Sequence, residues 1–306
     1  MLAVSYARDW KPSQVWTWNL TAEHQLARDL VVRTGYAGAK GTHLGFNTDL
    51  NAGIDGERPN PDFNQIIQDI SGANSIYHSL IVAVDKRFSK GFSVGANYTF
   101  SKSIDWTSSL SDLDTINVVN PYDYAAYRAV SDYNVPHRFV LNYVWQLPSP
   151  SGALRHLLGG WQTTGIWNWQ SGFPLSMTSG EDNSGSFVEN DLADLVSKPH
   201  LTDGSRSTKI AKWFTTEAFR LNAAGTYGNS GRNILTGPGT FNIDFTAAKT
   251  FPITERVSLQ YRLELFNALN HTALNNPITS VSDGSFGQIV DARDPRIIQM
   301  ALRVHF

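Results

Sequence analysis

The segment Arg296 to Phe306 alternates between apolar and polar positions. Every second residue from Ile298 to Phe306 is apolar, and the residues between them are mostly polar or small. Because successive side chains leave opposite faces of a β-strand, this period of two predicts a strand with one apolar face. A strand of about 9–11 residues is also long enough to cross a bilayer. The apolar face therefore meets either lipid or another layer of protein.

The same alternation recurs along the chain and predicts nine strands. They cover approximately residues 14–24, 30–37, 80–88, 92–101, 138–147, 161–170, 241–248, 257–266 and 296–306. Short or moderate, turn-rich connections lie at 25–29, 89–91, 148–159 and 252–255. Long polar connections lie at 39–75, 105–134, 180–239 and 270–295, and we expect one short helix near Lys209–Phe219. Short and long connections thus alternate throughout.

This alternation of connection lengths indicates the fold class. Compact soluble domains rarely contain several structureless connections longer than about 12–15 residues. Outer-membrane barrels combine short periplasmic turns with long extracellular loops. We therefore predict an all-β fold, namely a portion of an antiparallel up-and-down transmembrane β-barrel with about nine strands. Phe306 then lies at the periplasmic end.

The distribution of charge agrees with this prediction. Arg33, Arg138 and Arg262 fall on the polar faces of their strands. On a lipid-facing side, Arg or Lys at the middle of the bilayer costs roughly 2–4 kcal/mol. A soluble β-sandwich with one buried face explains the alternation equally well, although it explains the lengths of the connections less well. The sandwich stays open as the alternative.

Composition narrows the function classes. The net charge of −2, from 25 basic and 27 acidic residues, gives no support for a nucleic-acid partner. The absence of cysteine excludes a disulfide framework and thiolate metal sites. Charged residues make up only 17% of the chain, below the roughly 25% of ordinary soluble domains. No apolar run is long enough for a transmembrane helix.

Candidate chemical sites are few. The longest connection contains a cluster of acidic residues, namely Glu181, Asp182, Glu189, Asp191 and Asp194. Their spacing does not match that of an EF-hand, so we interpret the cluster as a solvated loop without calcium. The eight histidines show no metal-ligand spacing, and the chain has no G-x-S-x-G motif. We expect no enzyme activity and no cofactor.

Four tryptophans support the rival class of function. Trp167 and Trp169 alternate on one strand, and Trp106 and Trp213 lie in long connections. Such rings stack on sugars, so a soluble β-sandwich that binds carbohydrate is the alternative function. A passive porin is a third class. Tryptophan at alternate strand positions is more often a lipid or core contact.

Several stretches spread over most of the chain resemble TonB-dependent receptors, specifically the large Oar-like outer-membrane group. They are WTWNLTAEHQL followed by VVRTGYAGAKGTHL within Trp16–Leu44, SDYNVPHRFVLNYVWQLP (Ser131–Pro148), GGWQTTGIWNWQSGFPLS (Gly159–Ser176), GTYGNSGRNILTGPGTFNIDF (Gly225–Phe245) and ELFNALNHTALNNP (Glu264–Pro277). The resemblance implies a barrel of about 22 strands around an N-terminal plug, energised through TonB. Only the C-terminal part of that barrel has a counterpart here.

The resemblance also implies a location, partners and a fragment. We expect residues 1–306 to be the C-terminal part of the barrel without a plug domain, and the chain to be a gene fragment. We expect it in the outer membrane of a Gram-negative-type bacterium, in contact with lipid. The TonB system would act through the plug, on an unknown ligand. The N-terminal residues do not have the pattern of a signal peptide.

In the same family, the last strand is similar to the signal that the barrel assembly machinery binds. The residues that match are Met300, Leu302, Val304 and Phe306. Physically, an edge strand adds to another sheet edge through its backbone while its apolar side chains face lipid. We therefore expect these four residues to be the assembly β-signal.

Overall fold

The computed structural model describes residues 1–53, 56–108, 118–152, 155–188 and 191–306. Nine long strands dominate it. In chain order they are β1 (Gln14–Ala27), β2 (Leu30–Asp49), β3 (Gln65–Ser89), β4 (Phe92–Asp105), β5 (His137–Gln146), β6 (Trp161–Gln170), β7 (Thr240–Pro252), β8 (Ser258–Phe266) and β9 (Ile297–His305). Each pairs antiparallel with its neighbour in sequence, so the sheet is an up-and-down meander with β1 and β9 at its edges.

The predicted strands are thus confirmed in number and order, but the predicted irregular segment 39–75 is largely wrong. β2 continues to Asp49, and β3 begins at Gln65. β2 and β3 stay paired on both sides of register shifts between Gly41 and Phe46. Within this irregular stretch His43 adopts a positive φ of 53°. These irregularities break the period of two, which is why the sequence pattern did not show the extension.

Short elements complete the structure. Leu2–Tyr6 pairs parallel with the start of β3, and Ala129–Val130 pairs with the end of β4. Pro174–Leu175 pairs with Leu235–Thr236, and Asp194–Leu195 pairs with Phe219–Arg220. The α-helices are Arg155–Leu158 and Arg206–Ala211, and the 3₁₀ helices are Ala125–Tyr127 and Thr216–Ala218. The expected helix near Lys209–Phe219 is therefore present as two short turns.

The strands are staggered relative to one another. Lys86 lies near the C-terminal end of β3, and Ile298 is the second residue of β9. The two residues nevertheless belong to one row of cross-strand partners, through Val94, Tyr143, Gly165, Phe245 and Leu265. Because β3 ends at a short turn and β9 follows a long connection, the row crosses the sheet from one end to the other. Barrel walls show this stagger, since their strands tilt by about 35–45°.

Candidate functional site

The two faces of the nine-strand sheet, which we call the wall, differ in chemistry. Leu263 pairs with Met300 across β8 and β9, whereas the adjacent Glu264 pairs with Gln299. The apolar face is uncovered, and Met300 is 66% exposed. Other large, exposed side chains on this face are Leu20, Tyr36, Leu80, Phe100, Trp145, Trp167, Trp169, Leu302 and Val304. Soluble monomers rarely expose an apolar surface of this extent.

No second sheet covers the apolar face within the part of the chain that the structure describes. The two other sheets there are two-stranded pairs formed by residues of the connections. A β-sandwich requires a second layer over Phe245, Leu263 and Met300. The soluble sandwich is therefore wrong as the architecture of this chain.

The polar face carries charges that pair with one another. The guanidinium of Arg33 lies 3.0 Å from the carboxylate of Glu23 and 3.7 Å from that of Asp85. The guanidinium of Arg262 lies 2.6 Å from the carboxylate of Glu264, two residues farther along the same strand. These pairs agree with the prediction that charged residues lie on the polar face. Such charged pairs are stable in a lumen filled with water or protein, whereas a hydrocarbon layer disfavours them.

Aromatic and histidine side chains concentrate on the apolar face near the long-connection end. The hydroxyl of Tyr36 lies 2.7 Å from Nδ1 of His78, and the indole of Trp18 is 6.0 Å from the same imidazole ring. Tyr98 makes the same 2.7 Å hydrogen bond with His137. Amphipathic rings of this kind are typical of the interface between lipid and water.

One cation on the apolar face was missed by the sequence analysis. Lys249 follows Ala247 in the outward series of β7 and is only 4% exposed. Its ammonium donates to the carbonyl oxygen of Leu157 and lies 5.4 Å from the ring of Trp161 and 5.0 Å from that of Phe251. If the alternation had been followed for two residues beyond Ala247, the sequence would have predicted Lys249 on the apolar face. It lies near the short-turn end, where a cation is tolerated.

The long connections fold into an ordered layer, which we call the loop layer. It comprises residues 171–188 and 191–239, residues 267–296, residues 118–134, and the parts of β2 and β3 farthest from their short turn, namely about residues 41–49 and 65–75. Its first loop core consists of Leu175, Met177, Ala193, Phe214, Ala218, Phe219 and Leu235. Its second loop core consists of Phe46, Ala73, Val118 and Tyr127. The predicted loops therefore have hydrophobic cores of their own.

Arg232 joins separate segments of the loop layer to the wall. Its guanidinium lies 3.3 Å from the carboxylate of Asp105 at the end of β4 and 2.8 Å from that of Asp132. It also donates to the carbonyl oxygens of Trp106 and Tyr127. Asp105 is 2% exposed, so this is a buried ion pair between segments more than 100 residues apart in sequence.

Two acidic residues of the longest connection accept hydrogen bonds from its own backbone. Asp182 accepts from the amide of Phe187 at 2.7 Å. Asp191 is 1% exposed and accepts from the amide of Ser184 at 2.7 Å and from the side chain of Asn222 at 3.0 Å. Burial raises the pKa of Asp191, partly offset by these hydrogen bonds. The expectation of a simply solvated loop is therefore wrong for Asp191.

Other candidate residues are dispersed. Glu189 lies outside the described residues. Across those residues, no group of three or more histidine or acidic side chains is arranged to hold a metal ion. The four tryptophans do not converge: Trp167 and Trp169 lie on the outer face, Trp106 packs against the second loop core, and Trp213 packs against the first. No stacking platform for a sugar is formed by this set.

The expected assembly residues lie together on the exposed edge of the wall. Met300, Leu302 and Val304 share the apolar face of β9, and Phe306 follows the strand and is 99% exposed. β9 pairs only with β8 among the described strands, so its other edge is open. This geometry fits an edge strand, and the assembly role stays a prediction.

The comparison that decides the family is with a model of the outer membrane beta barrel domain, which matches residues 2–299. The chain belongs to this outer membrane beta barrel family. The predicted fold class and the location in the outer membrane are thereby confirmed, and the apolar face of the wall meets lipid. Curated protein sequences contain no match. No helix within the described residues has the length and apolar character needed to cross a membrane.

Solved structures agree with the family. The outer membrane transporter YddB from Escherichia coli aligns with a TM-score of 0.55 at 10% identity, over 98% of this chain and 33% of that one. The pyoverdine outer membrane receptor FpvA from Pseudomonas aeruginosa PAO1 aligns with a TM-score of 0.51 at 13% identity, over 97% and 30%. The chain thus spans about a third of these proteins. The resemblance to TonB-dependent receptors is confirmed at the level of the fold.

Proposed function

We propose that residues 1–306 form the C-terminal part of the barrel of a TonB-dependent receptor and take part in uptake of a ligand across the outer membrane. The observation that carries this proposal is the combination of a staggered wall and a loop layer with two packed cores. A passive pore requires only the wall. A loop layer that is held by packed cores and by the ion pair of Arg232 supports a surface that recognises a ligand before the ligand enters the lumen.

The open edges of the wall support the rest of the proposal. All 14 residues of β1 are exposed, and β1 pairs with β2 alone among the described strands. In lipid, each unsatisfied backbone group costs several kcal/mol. We therefore propose that further strands complete the barrel and that a plug domain outside these residues engages TonB.

We also propose that the barrel assembly machinery binds the last strand through Met300, Leu302, Val304 and Phe306. The open backbone edge of β9 supports strand addition, and the apolar side chains on one face suit simultaneous contact with lipid.

Uptake is tested in cells that express the complete protein of which this chain is part. Depletion of dissolved nutrients from the medium is followed by mass spectrometry in matched strains with and without TonB. The proposal predicts at least one solute whose depletion requires both this protein and TonB. Depletion that persists without TonB and with a protonophore would instead indicate a passive pore. If the depletion of no solute depends on the protein, the proposal of uptake is contradicted altogether.

A further inference from the structure

A notch in the rim of the wall forms a cavity that the features above do not use. β6 and β7 continue past the extracellular end of β8, because pairing of β7 with β8 begins only at Phe245 and Leu265. Segments 267–273 and 293–294 lie beside the uncovered part of β7. The backbone N–H of Asn267 donates to the carboxylate of Asp244 at 3.0 Å. The cavity between them measures about 310 Å³.

Two arginines line this cavity. Arg138, the second residue of β5, reaches it from the wall, and Arg293 reaches it from the last long connection. Within the described residues, neither guanidinium donates a hydrogen bond or forms an ion pair. The contrast with Arg33 and Arg232, which bind carboxylates, is informative. Two guanidinium groups without internal partners lining one concave site favour an anionic ligand with two oxygen acceptors.

Side-chain amides line the wall of the same cavity. Asn168 of β6 and Asn242 of β7 are direct cross-strand partners on the polar face. The amide nitrogen of Asn242 donates to Asp244 at 2.9 Å, which leaves its oxygen free to accept. An amide both donates and accepts hydrogen bonds, as a hydroxyl group does. The amides therefore suit hydroxyl groups next to the anionic end of a ligand.

The charge of the cavity distinguishes between anions. Asp294 also lines it, so the residues around the cavity include one acidic side chain besides the two arginines. A singly charged, planar carboxylate fits the guanidinium forks with little repulsion from Asp294. The two arginines attract a phosphate dianion more strongly than a carboxylate, but the cost of desolvating an ion rises with the square of its charge, so a singly charged carboxylate suits this site better. Asp294 can also accept a hydrogen bond from a ligand hydroxyl.

We propose that this cavity binds a hydroxylated carboxylate, with Arg138 and Arg293 on the carboxylate and Asn168 and Asn242 on neighbouring hydroxyl groups. The assignment rests on the proposed function, since it names the substrate class that the loop layer and rim of the barrel admit. Arg138, Asn168 and Asn242 lie on the polar face of the wall, and Arg293 belongs to the loop layer, so the cavity lies where the two regions meet.

The test measures equilibrium binding to outer-membrane vesicles that contain the complete protein. Gluconate and galacturonate are the probes, galactose is the neutral counterpart of galacturonate, and inorganic phosphate is the competing anion. We expect at least one of the two acids to bind more tightly than galactose and phosphate. Arg138→Gln with Arg293→Gln should weaken that binding by about tenfold or more, because two charge-assisted contacts are lost.

Matched variants separate the site from general effects. Arg303→Gln removes an arginine from the polar face of β9, away from the cavity, and should leave binding unchanged. Arg138→Lys keeps the charge and loses the fork, so it should bind the acid with intermediate affinity. Equal amounts of heat-modifiable protein in the vesicles show that each variant is folded.

The assignment is overturned if neither acid binds more tightly than galactose, if phosphate binds more tightly than both acids, or if the double variant binds as the unchanged protein does. Binding to vesicles needs neither TonB nor a proton gradient. Binding without energised uptake would therefore remove the proposed function and leave the cavity assignment standing. TonB-dependent uptake of a solute, together with failure of both acids to bind, would remove the cavity assignment and leave the proposed function standing.

Discussion

In the wall the large apolar side chains point away from the protein, whereas in the loop layer they point into it. Met300 and Leu302 of the wall are 66% and 67% exposed, while Phe46 and Phe214 of the loop layer are fully buried. The difference follows from the solvent outside each region. Lipid accepts the apolar faces of strands, and water drives the apolar residues of the loops into compact clusters. One chain thus contains two opposite arrangements of hydrophobic residues.

The largest effect is expected in the loop layer. Phe214→Ala removes a fully buried ring that packs 5.8 Å from Phe219 and 5.3 Å from Phe286, and it should destabilise this layer by about 3–5 kcal/mol. Phe187→Ala removes an exposed ring of the same layer and should cost far less. Hydrogen exchange measures both, with protection lost in the loop layer but kept in the wall. Equal effects of the two substitutions would show that the first loop core is not a core.

The second effect concerns the connection between the two regions. Arg232→Met leaves Asp105 buried without its ion partner, which typically costs about 3 kcal/mol or more. We expect faster cleavage of the segment around Asp132 by an external protease on intact cells. Arg220→Met breaks a pair in which the arginine is largely exposed, and it serves as the control. Unchanged cleavage in Arg232→Met would mean that the loops are held by their cores alone.

The third effect concerns the direction of the wall. Met300→Arg places a charge on the lipid side and should cost roughly 2–4 kcal/mol if the residue lies near the middle of the bilayer. Gln299→Arg places the same charge one residue earlier, on the polar face opposite Glu264, and should be tolerated. The yield of heat-modifiable protein in the outer membrane compares them. A greater loss from Gln299→Arg would reverse the assignment of the faces.

The smallest effect is expected at the end of the last strand. Deletion of Phe306 removes one exposed aromatic ring. Its loss should cost less stability than the removal of a fully buried side chain, which costs about 1.5–3 kcal/mol. Outer-membrane yield of the full-length protein should fall, because the assembly signal is weakened, and Phe306→Tyr should restore most of it. Normal yield after the deletion would contradict the assembly role.

The wall could be predicted from sequence, and the loop layer could not. The strands alternate with a period of two, so Leu263, Glu264 and Leu265 reveal their faces without any partner. The buried residues of the loop layer have no such period, because Phe214 and Leu175 meet only through the tertiary fold. The ion pair of Arg232 with Asp105 joins positions 127 residues apart, which no local pattern indicates. The same holds for Arg138 and Arg293, which line one cavity from distant segments.

The most direct test of the central claim uses single fluorescent labels on introduced cysteines, because residues 1–306 contain no native cysteine and any cysteine elsewhere in the complete protein can be replaced by serine. Labels at Leu263 and at its neighbour Glu264, in the complete protein in bilayers, are exposed to a lipid-borne quencher and to aqueous iodide. The account predicts that lipid quenches the label at position 263 and that iodide quenches the label at position 264 more strongly. A label at position 263 that is shielded from lipid, or quenched by iodide as strongly as that at 264, would contradict it.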